Sequence, residues 1–416
     1  MDARLLAAVE AFDAETAGDL VEDGADPDRP LPDGSTPLSR AVASGSPGLV
    51  SALLGAEPRL RLPPAERERL LALARRWYEA GAEAGLRRLT GATGAAETVR
   101  VEDPEFLFVE EIALDGRTVR GGHGAILTML ERRFVLPTPP GELVARAART
   151  DPYHADWGES SWTLGERRGD PAWRALLTHR HHPSPRHRLF LADHLRCEGV
   201  TTAHTEARQR EADRLLAAWA AEETEPEVLA MVLQALATAD DGRPEGLVAH
   251  ARHPDRRVRE AAAGCLLMWR RPHPPAALAA LAALARDDDA GVRAAAATAI
   301  GAVGVHADET RRLLLALADD PDPSARAEAT RALACSGDAH PLVTDALWNL
   351  LSEEDQDLRL DGAFGLARLD DPRAPEAYDR VGRLEEKFHE DLRAGFLLRR
   401  AWAASSAGDG PGAVPR

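Results

Sequence analysis

The chain has 416 residues and a formal charge of −17, with 29% charged and 5% aromatic residues, enough for two or three globular domains or one long solenoid with a cap. Abundant alanine and leucine with few aromatics suit small-residue helix packing and disfavour a β-rich sandwich; the acidity opposes non-specific binding to phosphate backbones or anionic lipid and favours basic partners. Cys197, Cys265 and Cys335 make no disulfide framework or paired metal motif, the N-terminus lacks a signal pattern, and no stretch approaches about 18 apolar residues, so a cytoplasmic protein without a membrane span is expected.

In chain order, Asp33-Gly34 marks a turn, and Thr36-Pro37 starts a helix with a capping hydroxyl and a proline at its first position. Leu38, Ala41 and Val42 share one apolar stripe, Gly45 stops the helix, and Leu49, Val50, Leu53 and Leu54 begin the next. This stretch resembles the ankyrin repeat in its Thr-Pro-Leu start, small-residue helix and paired leucines. Ser39 stands where that family usually has histidine, so a weakened local hydrogen-bond network is expected. Leu5 to Asp28 reads as a degenerate first repeat and 64–90 as a capping helix pair, giving an ankyrin-like array over 1–95. The resemblance implies binding and not catalysis. The first 60 residues carry 11 acids and 4 bases, net −7, which fits a solvated face or a functional one.

Residues 96–170 read as a connector. Phe106, Phe108, Glu110 and Ile112 alternate, Asp115-Gly116 suits a tight turn, and Thr118 and Val119 return, so a short β-hairpin is expected. Gly121-Gly122-His123-Gly124 opens a helix. Such a turn can cradle an anion on free amides, but no phosphate-loop or dinucleotide pattern follows, and a plain loop cap is the expected role. Pro137, Pro139, Pro140 and Gly141 precede another helix, and 151–172, with Trp157 and Trp162, reads as a packed irregular connector.

From 171 to 403 the chain reads as helix pairs. Asp255/Arg259, Asp289/Arg293, Asp322/Arg326 and Asp355/Arg359 share one internal spacing, their arginines 34, 33 and 33 residues apart, with Val258, Val292, Ala325 and Leu358 before them. A fixed period in the thirties means stacked units. These segments are similar to the HEAT family, within it to the alanine-rich lyase-type repeats, so the chain resembles bacterial proteins that combine ankyrin and HEAT repeats. Ser184/Arg188 and Glu225/Leu229 are weaker copies, and the last pair, from about 375, is a cap. Each aspartate suits a helix N-terminus, and each arginine lies within reach of that aspartate or the neighbouring repeat's, a ladder that sets stacking register. The fold expected is therefore mostly α: an ankyrin-like array, then a HEAT-like superhelix, then a disordered tail over 404–416.

Two charged tracts break the pattern. Residues 178–204 hold His179, His181, His182, His187, His194 and His204 beside Asp193 and Cys197. Histidine tracts can bind zinc or nickel, but this one falls largely in a loop. No metal and no cofactor are expected, with His179, His181, His182 and His187 as the residual candidates. Trp173 to Arg214 carries 8 arginines against 5 acids, making Arg180, Arg186, Arg188 and Arg196 candidate contacts for an acidic peptide or for the chain's own acidic N-terminus. Residues 351–391 carry 13 acids and 6 bases, and Glu353, Glu354 and Asp357 are candidate contacts for a basic partner. No nucleophile elbow, zinc-protease motif or phosphate loop is present. The reading is a monomeric, non-catalytic protein-binding scaffold or adaptor. The alternatives are an enzyme or enzyme subunit, since related HEAT repeats occur in bilin lyases, and a HEAT-type nucleic-acid binder, which the charge disfavours.

Overall fold

Prolines and capping side chains punctuate most helix starts. In a computed structural model, residues 2–55, 58–103, 107–167, 170–200, 206–237, 246–267, 274–303 and 308–408 are described. The chain divides into two units, Met1–Glu198 and Gly199–Arg416. Phe106, His204 and 409–416 lie outside the described residues.

Unit 1 begins with α1 (Asp2–Glu10), α2 (Ala14–Glu22), α3 (Pro37–Ser44), α4 (Pro47–Leu54), α5 (Pro58–Arg61), α6 (Pro64–Ala80) and α7 (Ala82–Thr90). Strands β1 (Glu97–Glu102), β2 (Phe108–Leu114) and β3 (Arg117–Arg120) follow. Helices α8 (His123–Arg133), α9 (Pro140–Ala147), α10 (Ala155–Gly165), α11 (Asp170–Leu177) and α12 (Pro185–Val200) complete the series. One core joins Leu5, Leu20, Leu38, Val42, Leu49 and Leu53 to Leu70, Ile126 and Leu130, so α8 packs beneath the N-terminal helices.

Ser39 does not weaken the start of α3. The Thr36 amide donates to Ser39 Oγ at 2.8 Å and the Ser39 amide to Thr36 Oγ1 at 3.1 Å, a closed capping box. The hairpin forms as β2 and β3 around Asp115 and Gly116, whose φ values of 52° and 71° suit a tight two-residue turn. A further strand, β1, pairs antiparallel with β2, aligning Thr98 with Ile112 and Val101 with Val109, so the sheet is three-stranded. Residues 155–165 form α10, where an irregular connector was expected. His154 Nδ1 caps it by accepting from the Asp156 amide at 3.0 Å. Its buried positions mix Ala155, Asp156, Trp157, Ser160, Thr163 and Leu164, so no apolar stripe reveals the helix.

Unit 2 comprises α13 (Glu206–Glu222), α14 (Pro226–Ala237), α15 (Leu247–His250), α16 (Arg256–Leu267), α17 (Pro275–Leu284) and α18 (Ala290–Val303). It continues with α19 (Asp308–Ala318), α20 (Pro323–Cys335), α21 (Pro341–Asn349), α22 (Gln356–Arg368), α23 (Ala374–Val381) and α24 (Leu392–Gly408). Helices α14, α16, α18, α20, α22 and α24 contact one another in sequence, and one core runs unbroken from Ala251 to Leu397. That is the quasi-one-dimensional packing of an α-solenoid. Small residues set its spacing: a Cβ at Gly301 would lie 2.6 Å from that of Ala332. Helix α24 runs on to Gly408, so 404–408 are helical and not part of a disordered tail. No described helix is long and apolar enough to cross a membrane.

Candidate partner-binding surfaces

The repeated aspartates cap their helices. Asp255 accepts from the Arg257 amide at 2.9 Å, Asp289 from Val292 at 3.2 Å, Asp322 from Ser324 at 2.9 Å and Asp355 from Asp357 at 2.9 Å. The arginines do something the spacing alone does not disclose. Nη1 of each one clamps two carbonyls of its own preceding turn. Arg259 donates to His253 and Pro254 (3.0 and 2.9 Å), Arg293 to Asp287 and Asp288 (2.9 and 3.1 Å). Arg326 donates to Asp320 and Pro321 (2.7 and 3.0 Å), and Arg359 to Glu353 and Glu354 (2.7 Å each).

In Arg259 and Arg293 the remaining nitrogens cross to the next repeat. Arg259 forks onto Asp287 through Nε and Nη2, both at 2.8 Å, and Arg293 onto Asp320 at 2.7 and 2.8 Å. The partner is therefore not the aspartate of the motif but one two residues before the next cap. Asp287 and Asp320 were visible in register yet missed, because two aspartates before a helix read simply as capping. These carboxylates also accept from the amides of Asp289 and Asp322 at 3.0 and 2.9 Å, and the arginine hydrogen bonds hold both below the usual carboxylate range.

At the fourth repeat this receiving position is Glu353. Its side chain and that of Glu354 are exposed, and neither makes an ion pair among the described residues. Asp357 is different. It meets Arg331 at 3.4 Å and Arg393 at 2.5 Å, and Arg393 also binds Asp361 and Asp391. Asp361 is 1% exposed; burial pushes its carboxyl up to about 6 against the pull of Arg393. Asp357 thus ties α24 to the array, while Glu353 and Glu354 stay open.

In the basic tract the imidazoles meet by their faces. His182 and His187 stack with centroids 3.8 Å apart, and His179 lies 5.8 and 5.9 Å from them. A metal needs converging ring nitrogens, and among the described residues no group of three or more His, Cys, Asp or Glu is placed to hold one. Arg180 donates to His181 Nε2 at 2.7 Å and Arg186 to the Thr150 carbonyl at 3.3 Å. Arg188 repeats the carbonyl clamp, on His182 and Pro183 at 2.9 and 3.3 Å, and Arg196 forks onto Asp193 at 3.1 and 2.6 Å. Arg188 and Arg196 are therefore engaged within the fold; Arg180 is partly buried like them, and Arg186 is exposed.

The glycine turn before α8 is already occupied by a carboxyl group of the chain itself. Asp156 accepts from the Ala125 amide at 2.6 Å, and a Cβ at Gly124 would collide with that carboxylate. The close approach explains the glycine and closes the anion cradle. Burial lifts the Asp156 carboxyl; for His154 burial opposes the charge, but Glu110 at 3.1 Å and Asp156 hold its pKa above the ordinary value. His123 stacks on Trp77 at 4.9 Å, its Nε2 is 3.3 Å from the Ala43 carbonyl, and burial lowers it to about 4.

Residues 244–334 match the HEAT repeats family. No curated protein matches the chain. Among solved structures, the Escherichia coli protein YibA is 18% identical, covering 60% of this chain and 98% of its own, at a TM-score of 0.41. A designed armadillo repeat protein in complex with a (KR)4 peptide is 15% identical, covering 47% of this chain and 98% of its own, at 0.35. A mutant of Kap121p is 11% identical, covering 98% of this chain and 45% of its own, at 0.43. All three TM-scores are below 0.5, so the repeat architecture rests on this chain's own helix stacking and on the HEAT match.

Proposed function

We propose that this chain is a non-catalytic scaffold or adaptor that docks another protein on its repeat surfaces, with the solenoid's acidic end receiving a basic segment. One observation carries the reading. The arginine–aspartate ladder consumes its acids inside the array at Asp287 and Asp320, but the equivalent Glu353 is released to solvent beside Glu354. Charge freed from a structural duty, on a rigid array, is available for complementary recognition and steering. Within this proposal α1–α7 form the ankyrin-like array, 96–170 the connector, and 171–403 the HEAT-like solenoid of a monomer working in a reducing compartment. Arg180 and Arg186 supply a second, basic contact.

The test is capture of partners on tagged full-length chain after cross-linking in cells, read by mass spectrometry. A stoichiometric protein with a basic segment should be retained by the native chain and lost from a Glu353→Arg/Glu354→Arg chain. Recovery of no such protein, or its undiminished retention by the reversed chain, overturns the proposal. A low-salt gel shift separates the nucleic-acid alternative, for which no retardation is expected.

A further inference from the structure

Unit 1 carries two adjoining grooves, of about 520 and 240 Å3, that share Leu136, Pro137 and Arg167. The larger is walled by Pro137, Pro139, Pro140 and Pro171, and the smaller adds Thr163. Their common edge is the turn after α8, where Val135 holds a left-handed φ of 58° and is 66% exposed. A β-branched residue is costly in that conformation, and such strain gathers at functional sites. Leu136, which lines both grooves, is 42% exposed, so apolar surface is shown there. The turn is fixed from beneath: Thr138 donates to Glu131 at 2.7 Å, and Glu131 is gripped by Arg146 at 2.6 Å.

Arg167 is the charged group common to both grooves, and no carboxylate among the described residues lies within ion-pair distance of it. Burial lowers its pKa, opposed only by the more distant Glu131. Glu131 is committed to Arg146, and the adjacent Glu166 leans to Arg132 at 3.6 Å. A half-buried guanidinium in an apolar cleft lacks a carboxylate partner. The proline wall offers no N–H at four positions, so an added β-strand finds no ladder there. Side chains of an extended, polyproline-like peptide suit it better.

We propose that this groove binds an extended partner peptide in which one acidic residue, flanked by apolar or proline residues, sets its carboxylate on Arg167. The site lies wholly in unit 1 and does not depend on the acidic end of the solenoid. The probe is a dye-labelled, C-amidated nonapeptide, Gly-Pro-Pro-Leu-Asp-Leu-Pro-Pro-Gly, titrated with full-length chain by fluorescence anisotropy. Saturable binding is expected, weakened roughly tenfold when the probe's aspartate becomes asparagine. Arg167→Gln should weaken the acidic probe by the same factor and leave the asparagine probe unchanged. Arg167→Glu should recover binding to a probe with arginine in place of aspartate, which guards against a variant that merely misfolds. Absence of saturable binding to about 1 mM, or equal loss for acidic and neutral probes on Arg167→Gln, overturns the proposal. So does sedimentation showing self-association that Leu136→Asp abolishes, since a second copy would then fill the groove.

Discussion

The two units spend charge in different ways. Unit 2 uses one arrangement repeatedly: a capping aspartate, an arginine clamping two carbonyls, and a fork to the next repeat's acid. Unit 1, apart from the Arg188 carbonyl clamp, uses one-off pairings of buried polar groups, as in Glu131 with Arg146 and Thr138, Asp156 with Ala125, and Trp157 with Asp193. A repeated device leaves a period in the sequence and spreads its load over neighbours. A unique one leaves no period and concentrates its load, so damage there should be more severe.

The sharpest contrast is expected at Glu131. Replacing it with alanine leaves the buried Arg146 with only the exposed Glu142, at 3.6 Å, as its carboxylate partner, at a cost of about 3 kcal/mol. Chemical denaturation should show unit 1 unfolding early while hydrogen exchange in α16–α22 stays native. Ala295→Pro acts in the middle of α18 and should cost about 3 kcal/mol or more. Because neighbours carry the core, exchange should rise in α16, α18 and α20 and stay unchanged in unit 1. Melting like the native chain would mean that α18 is not part of a packed pair.

Acid should divide the units as well. His123 titrates near 4 when folded and near 6.5 when unfolded, so the unfolded state binds the proton first as pH falls. Its contribution is complete above about 6.5 and is lost towards 4, roughly 3 kcal/mol in all. Asp361 behaves oppositely: raised from 3.8 to about 6, it makes the folded state the stronger proton binder, so its burial penalty shrinks as pH falls through that window. Exchange measured from pH 7 to 4.5 should therefore loosen α8 before α22, and His123→Phe should flatten the loss in α8.

What could be read in advance follows the same division. The period of the Asp–Arg pairs placed α16, α18, α20 and α22, and Asp115-Gly116 placed the hairpin. Strand β1 was obscure because its Glu-Thr-Val-Arg-Val-Glu sequence is exposed at nearly every position and buries no alternating face. Helix α10 was obscure because its buried side mixes Asp156, Ser160 and Thr163 with Trp157 and Leu164. The charged candidates were legible as residue types but not as roles: Arg188, Arg196 and Asp357 proved to be structural partners, and the groove at Leu136 and Arg167 left no motif at all, since prolines before a helix read only as a break.

The smallest effects belong to single rungs, and they bear most directly on the claim that the ladder ends at Glu353. Denaturation of Arg293→Gln, Asp320→Asn and the double variant should give a coupling of about 1 kcal/mol or more, as charge-assisted, partly buried pairs do. The matching cycle of Arg326→Gln and Glu353→Gln should give a coupling near zero. Equal coupling in both cycles would make Glu353 another rung, committed within the array and not available to a partner.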